Sequence, residues 1–204
     1  MFRISESRRL LCLVLAVCLA PSAAFAHTGI GESSGLMHGL MHPLWGLDHQ
    51  LAMILVGIFA YQLGGRALWL VPLTFVTVMA LGGLLGVNGM ALPFVEIGIA
   101  LSVVILGAIV AFGIKAPVAA AMALVGLFAI FHGHAHGTEM PLDASGAAYG
   151  LGFMLATALL HAAGIVIGLL IGMAAKPLGQ NVYRAVGGLA SLAGVALLLG
   201  ALST

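Results

Sequence analysis

The sequence predicts an all-α integral membrane protein, a bundle of six transmembrane helices after a cleaved signal peptide. Of its 204 residues, 62% are hydrophobic and only 6% are charged, whereas about a quarter of the residues in an ordinary soluble domain are charged. Apolar runs of roughly 20 residues recur along the chain, and each is long enough to cross a hydrocarbon core about 30 Å thick as a helix. A soluble fold is therefore excluded.

Residues 1–26 have the features of an export signal. Three arginines precede an apolar segment from Leu10 to Ala20, and the A-F-A sequence ending at Ala26 is typical of a cleavage site. We expect residues 27–204 to form one transmembrane domain that begins outside the membrane. An uncleaved first transmembrane helix is the alternative, and it leaves residue 27 on the same side. Both cysteines lie within the segment, so the mature chain has no thiolate ligands.

Six spans follow from the apolar runs and the polar or glycine-rich interruptions between them. They cover residues 43–63, 67–86, 91–113, 117–133, 147–173 and 182–202. The loops that would face the cytoplasm, with their flanks, contain all the basic residues of the mature chain: Arg66, Lys115, Lys176 and Arg184. By the positive-inside rule, the protein is a multi-pass inner-membrane protein whose mature N-terminus is periplasmic.

Two further features bear on partners. Glycines spaced for close helix packing occur in the second and fifth spans, at Gly82, Gly86, Gly164, Gly168 and Gly172. Such packing serves equally within one chain or between copies, so a homo-oligomer stays open. The net charge is only +1 and no basic cluster is present, which argues against a nucleic-acid partner. The expected partners are the lipid bilayer and a small solute.

Histidines and carboxylates collect in the external half of the predicted bundle. They are His38, His42, Asp48, His49, Glu96, His132, His134, His136, Glu139 and, deeper in the fifth span, His161. Ionised side chains in a bilayer cost several kcal/mol, on the order of 2.5–3.5 on insertion scales, so they face the bundle interior and pair. All the basic residues lie on the other side, which leaves histidine or a bound cation as the partner.

This histidine-rich pattern predicts a site for a divalent transition metal, because imidazole and carboxylate are the donors that nickel, zinc and copper accept. In a continuous first span, His42 and His49 would share a helix face, since seven residues make about two turns. The other readings are a hydrogen bond to a neighbouring helix for His161 or Glu96, and a solvated loop for the tract from His132 to His136.

Enzyme motifs are scarce, since the chain has no G-x-x-x-x-G-K-[ST], no H-E-x-x-H and no G-x-S-x-G. We therefore predict a protein that is not an enzyme and binds no cofactor tightly, with the metal as its substrate. A membrane-anchored metal sensor or chaperone would use the same external ligands. A membrane metalloenzyme that activates water at the His/Asp cluster is the remaining alternative.

Two motifs resemble those of a known family. Residues 42–49 read H-P-x-x-G-x-D-H, and residues 131–139 read F-H-G-x-A-H-G-x-E. Together they closely resemble the HupE/UreJ family, the hydrogenase and urease accessory proteins regarded as nickel permeases, and the resemblance covers essentially the whole chain. It implies uptake of Ni²⁺ from the periplasm for hydrogenase or urease maturation. Cobalt, zinc and copper use the same ligands, so the family does not specify the metal.

Carried over by position, the resemblance implies functional roles for His42, Asp48, His49, Glu96, His132, His136 and Glu139, and Phe75 matches an aromatic position. The mechanism we expect begins with capture of hydrated ion at the periplasmic mouth by His38 and the segment 132–139. His42, Asp48, His49 and Glu96 then form a partly dehydrating site, and His161 is the next stop inward.

Overall fold

The computed structural model describes residues 35–140, 146–174 and 177–203, and the regular structure within these ranges is helical. In chain order the helices are α1 (Gly35–Met41), a 3-10 turn (His42–Leu44), α2 (Leu47–Leu63), α3 (Ala67–Val87), α4 (Val95–Phe112), α5 (Val118–Thr138), α6 (Gly146–Met173) and α7 (Leu178–Leu202). The predicted signal peptide at 1–26, and Lys176, lie outside the described residues.

Five helices, α3 to α7, are long and apolar enough to cross a bilayer. The chain is therefore a multi-pass membrane protein. A sixth span exists only if α1 with its 3-10 turn is counted together with α2, because the two parts are bent by 81° at the break between them. The predicted number of six spans thus depends on a broken first span.

The break lies at Trp45 and Gly46. Pro43 occupies the first turn of the 3-10 helix, and Gly46 is extended (φ −84°, ψ 113°) where α2 begins. An extended residue cannot continue a helix, so a new axis starts at Leu47. The expectation that His42 and His49 share one face of a continuous helix is therefore wrong.

Helix α2 is the central element of the bundle. It packs against α6, α4 and α3, and its buried residues Met53, Val56 and Phe59 form the middle of the apolar core. Around it, α3 packs along α5 and α4 packs along α7, while α1 lies against α6. The polar end of α2, with Asp48 and His49, therefore lies where several helices meet.

Glycine allows the close approach of these helix pairs, as the sequence predicted. A Cβ atom on Gly82 would collide with the carbonyl oxygen of Ile130, and one on Gly86 with that of His134. On α6, a Cβ atom at Gly164 would collide with the carbonyl oxygen of Ile54. These stripes serve contacts within the chain, and α5 is consequently held in a fixed position beside α3.

Candidate metal centre

Helix α5 continues to Thr138, so the predicted external histidine tract is helical rather than a loop. Helical periodicity then separates its members. His132 and His136 are four residues apart and share one face, whereas His134 lies between them on another. The Nε2 atom of His134 donates to the carbonyl oxygen of Met90 at 2.7 Å, which ties the end of α5 to the segment after α3.

His49 is at the centre of the histidine cluster. Its Nδ1 atom lies 2.9 Å from Nδ1 of His132 and 3.0 Å from Nε2 of His136. His49 is 2% exposed and His132 is fully buried. Three imidazoles from α2 and α5 thus converge, two of them shielded from solvent and the third, His136, partly buried.

An outer group of ligands lies at the mouth of this cluster. His42, His136 and Glu139 each offer one ligand atom, and these atoms lie within 4.8 Å of one another. Nε2 of His42 is 3.0 Å from Oε2 of Glu139, and Nδ1 of His136 is 3.7 Å from the same oxygen. We call these three residues the outer triad. They supply two imidazoles and a carboxylate, the mixed donor set that divalent nickel, zinc and copper accept.

The outer triad is open to the surroundings. The side chains of His42 and Glu139 are 31% and 53% exposed, whereas that of His136 is only 12% exposed. Three protein ligands with an accessible side leave coordination positions for water or for an incoming ligand. His38 is exposed beside the triad, and its ring centroid is 6.4 Å from that of His42. It lies at the mouth but is not one of the converging ligands.

His161 lies deeper, on α6, and is 1% exposed. Among the described residues no group hydrogen bonds to either of its ring nitrogens. The ring centroid of Phe75 is 5.2 Å from that of His161 and 5.6 Å from that of His132. Phe75 therefore contacts the histidine cluster on one side and His161 on the other.

Asp48 and Glu96 occupy a different region. Both line a cavity of about 550 Å³ whose other walls are apolar residues of α2, α4 and α7. Oδ1 of Asp48 accepts the backbone N–H of His49 at 2.7 Å. Each acid is the second residue of its helix, where a carboxylate interacts favourably with the helix dipole. Their role as metal ligands stays a prediction.

Two residues at the site have no counterpart in the sequence-based set. Ser102, on α4, is fully buried and its Oγ lies 2.9 Å from Nε2 of His132. Phe153, on α6, packs against His136, and the centroids of the two rings are 4.1 Å apart. A single hydroxyl or phenyl group in an apolar helix is common, so no local pattern distinguishes them.

The chain is similar to known proteins along nearly its whole length. The family described as HupE / UreJ protein matches residues 15–197. The chain is also 50% identical over 187 residues to Protein HupE of Rhizobium leguminosarum bv. viciae, a match that covers 91% of this chain and 95% of that protein. No solved structure matches the chain.

Proposed function

This chain belongs to the HupE/UreJ family, and from that premise we propose that it is a permease that moves nickel(II) from the periplasm to the cytoplasm for hydrogenase or urease maturation. The observation that carries the proposal is the outer triad, His42, His136 and Glu139, at one end of a multi-pass helical bundle. Cobalt, zinc or copper ions would find the same donors.

The triad suits an ion that must bind and then leave. Bonds from a divalent ion to imidazole nitrogen or carboxylate oxygen are about 2.0–2.2 Å, so ligand atoms on opposite sides of the ion are about 4.2 Å apart. The distances from Oε2 of Glu139 to Nε2 of His42 and Nδ1 of His136, 3.0 and 3.7 Å, lie within that limit. Retained water would complete the coordination, and a partly hydrated ion is not trapped.

His136 connects the outer triad to the buried cluster. Its Nδ1 atom faces Glu139, and its Nε2 atom lies 3.0 Å from Nδ1 of His49. An ion released by Glu139 would therefore pass to His49 and His132 while remaining near the same imidazole. His161, which Phe75 separates from that pair, would receive the ion next.

The distribution of charge supports inward movement. Arg66 is the N-cap residue of α3, and Lys115 donates a hydrogen bond to the carbonyl oxygen of Gln62 at the end of α2. Both basic residues therefore lie at the end of α2 opposite His49. By the positive-inside rule that end faces the cytoplasm and the triad faces the periplasm of the inner membrane. At about 100 mV, inside negative, a divalent ion gains roughly 2 × 2.3 kcal/mol on entry, enough for about a thousandfold accumulation.

The test is uptake of radioactive nickel into proteoliposomes with an inside-negative potential. We expect the wild type to accumulate nickel, and His42→Ala and Glu139→Gln to lose both uptake and nickel binding. Competition with Co²⁺, Zn²⁺ and Cu²⁺ measures selectivity. Absence of uptake by well-folded wild type would contradict a permease, and nickel binding without uptake would favour a membrane-anchored sensor or chaperone.

A further inference from the structure

Ser102 makes two hydrogen bonds at the inner edge of the histidine cluster. Its Oγ atom lies 2.6 Å from the carbonyl oxygen of Ile99 and 2.9 Å from Nε2 of His132. Ser102 and His132 are both fully buried. No water competes for these groups, so their hydrogens must be shared among the atoms present.

The positions of the hydrogens follow from counting donors. A hydroxyl has one hydrogen, and two oxygen atoms 2.6 Å apart repel each other unless a hydrogen lies between them, so the hydroxyl of Ser102 donates to the carbonyl oxygen of Ile99. Oγ must then accept from His132, which places a hydrogen on Nε2 of that imidazole. His132 is buried among neutral groups and is itself neutral. A neutral imidazole carries one N–H, so Nδ1 of His132 presents an unprotonated lone pair.

That lone pair faces the centre of the cluster. Nδ1 of His49 lies 2.9 Å away and carries the hydrogen that joins the two rings, and Nε2 of His136 approaches the same His49 atom at 3.0 Å. Two ligands at right angles around a divalent ion, with bonds of about 2.0–2.1 Å, are also about 3.0 Å apart. The nitrogens are therefore spaced for an ion to replace the shared hydrogen, which would move to Nε2 of His49, an atom without a hydrogen-bond partner among the described residues.

We propose that Ser102 is a positioning residue for transport. It holds His132 in the tautomer whose bare Nδ1 faces His49, and so prepares the buried histidines to receive the ion from the outer triad. The inference rests on the proposed function. Hydrogen bonds of this kind to metal-binding histidines orient the ring and select its tautomer, and their loss typically costs about 10–100-fold in affinity or activity.

The ordinary explanation of Ser102 is a hydroxyl that bonds to its own helix and helps packing. Ser191 provides the matched control for that explanation. It is a partly buried serine of α7 whose hydroxyl donates to the carbonyl oxygen of Val104, on α4, at 3.0 Å. Ser191→Ala removes a hydroxyl of the same chemistry from the same helix neighbourhood but leaves His132 unchanged. A purely structural role predicts similar losses for Ser102→Ala and Ser191→Ala.

The experiment combines uptake with a spectroscopic measurement. In proteoliposomes we expect Ser102→Ala to lower nickel uptake by about tenfold or more, with nickel binding at the outer triad retained. Ser102→Thr, which keeps the hydroxyl, should retain uptake, as should Ser191→Ala. In the background of His132→Ala, removing the Ser102 hydroxyl should have no further effect, because both changes abolish one interaction.

The ¹⁵N NMR signals of histidine report the tautomer without any metal. We expect a signal for unprotonated Nδ1, assigned to His132 by its loss in His132→Ala, and a tautomer mixture in Ser102→Ala. Wild-type uptake by Ser102→Ala, equal losses in the two serine variants, or an unchanged tautomer would overturn the inference. If the wild type shows the tautomer but moves no metal, the proposed function fails and the hydrogen-bond assignment stands.

Discussion

The bundle has two polar regions, which meet at the start of α2, and they differ in how they are built. The histidine region brings side chains from the 3-10 turn, α2 and α5 into direct contact, with ring nitrogens about as close as hydrogen-bond partners. The carboxylate region places Asp48 and Glu96 on the wall of an otherwise apolar cavity. We therefore expect the convergent, partly buried donors to act as ligands, and the two acids on a wide cavity to act mainly through their negative potential.

The two regions meet at consecutive residues of α2. Asp48 and His49 differ by about 100° around the helix axis, so their side chains enter different spaces although the residues are adjacent. Their link is the bond from the His49 backbone N–H to the carboxylate of Asp48. One short motif therefore serves two regions, and the following predictions separate their contributions.

The largest effect is expected from removing His136, which belongs to the outer triad and also contacts His49 in the buried cluster. His136→Ala should weaken nickel binding by about 100-fold or more, beyond the 10–100-fold typical of outer-shell changes, because a direct ligand is lost. His134→Ala is the matched control, since His134 lies on the same helix, two residues before His136, and hydrogen bonds to the carbonyl oxygen of Met90. Isothermal titration calorimetry measures both. Equal losses in the two variants would mean that the histidine region is not built as described.

The second prediction concerns the packing that positions α5. A methyl group at Gly133 would collide with the carbonyl oxygen of Met79, so Gly133→Ala should separate α3 from α5 and displace the histidines on either side. Overpacking of this kind costs about 1–3 kcal/mol. Thermal unfolding in detergent should show a lower midpoint than for Gly188→Ala, whose added methyl meets nothing within 4 Å. Equal midpoints would argue against a rigid contact.

The third prediction extends the histidine region inward. His161→Leu removes a buried imidazole whose two nitrogens have no hydrogen-bond partner among the described residues. Each such nitrogen costs about 1–3 kcal/mol, so the variant should unfold at a higher temperature. It should also lower nickel uptake, by about tenfold if the ring acts like other supporting histidines of metal sites, without changing binding at the outer triad. A more stable variant with wild-type uptake would show that His161 serves packing alone.

The smallest effect is expected in the carboxylate region. The double substitution Asp48→Asn with Glu96→Gln keeps the size and one acceptor oxygen of each side chain and removes the charge. If the acids act through their potential, the dissociation constant for nickel should change by less than about fivefold, as for charges worth about 1 kcal/mol. Uptake should slow mainly at low ionic strength, because salt screens attraction between exposed charges. A loss as large as that of His136→Ala would identify the acids as ligands.

Composition and local motifs determine much of this protein. Long apolar runs must satisfy their backbone groups internally, so an all-helical membrane fold follows directly, and the helices α3 to α7 lie close to the predicted spans. The glycine stripes predicted close packing correctly, and the two motifs identified the family. The histidine and carboxylate positions predicted one polar end of the bundle, and that this end is external stays a prediction. These inferences need only residue type and spacing along the chain.

The tertiary structure decided which of those residues meet. A break at Trp45 and Gly46 places His42 and His49 on separate axes, and the packing of α5 against its neighbours brings His136 into contact with both. The hydroxyl of Ser102 reaches His132 from a different helix, 30 residues away in sequence. The direction of a side chain depends on where its helix begins and on how that helix packs against its neighbours, and spacing along one segment contains neither quantity.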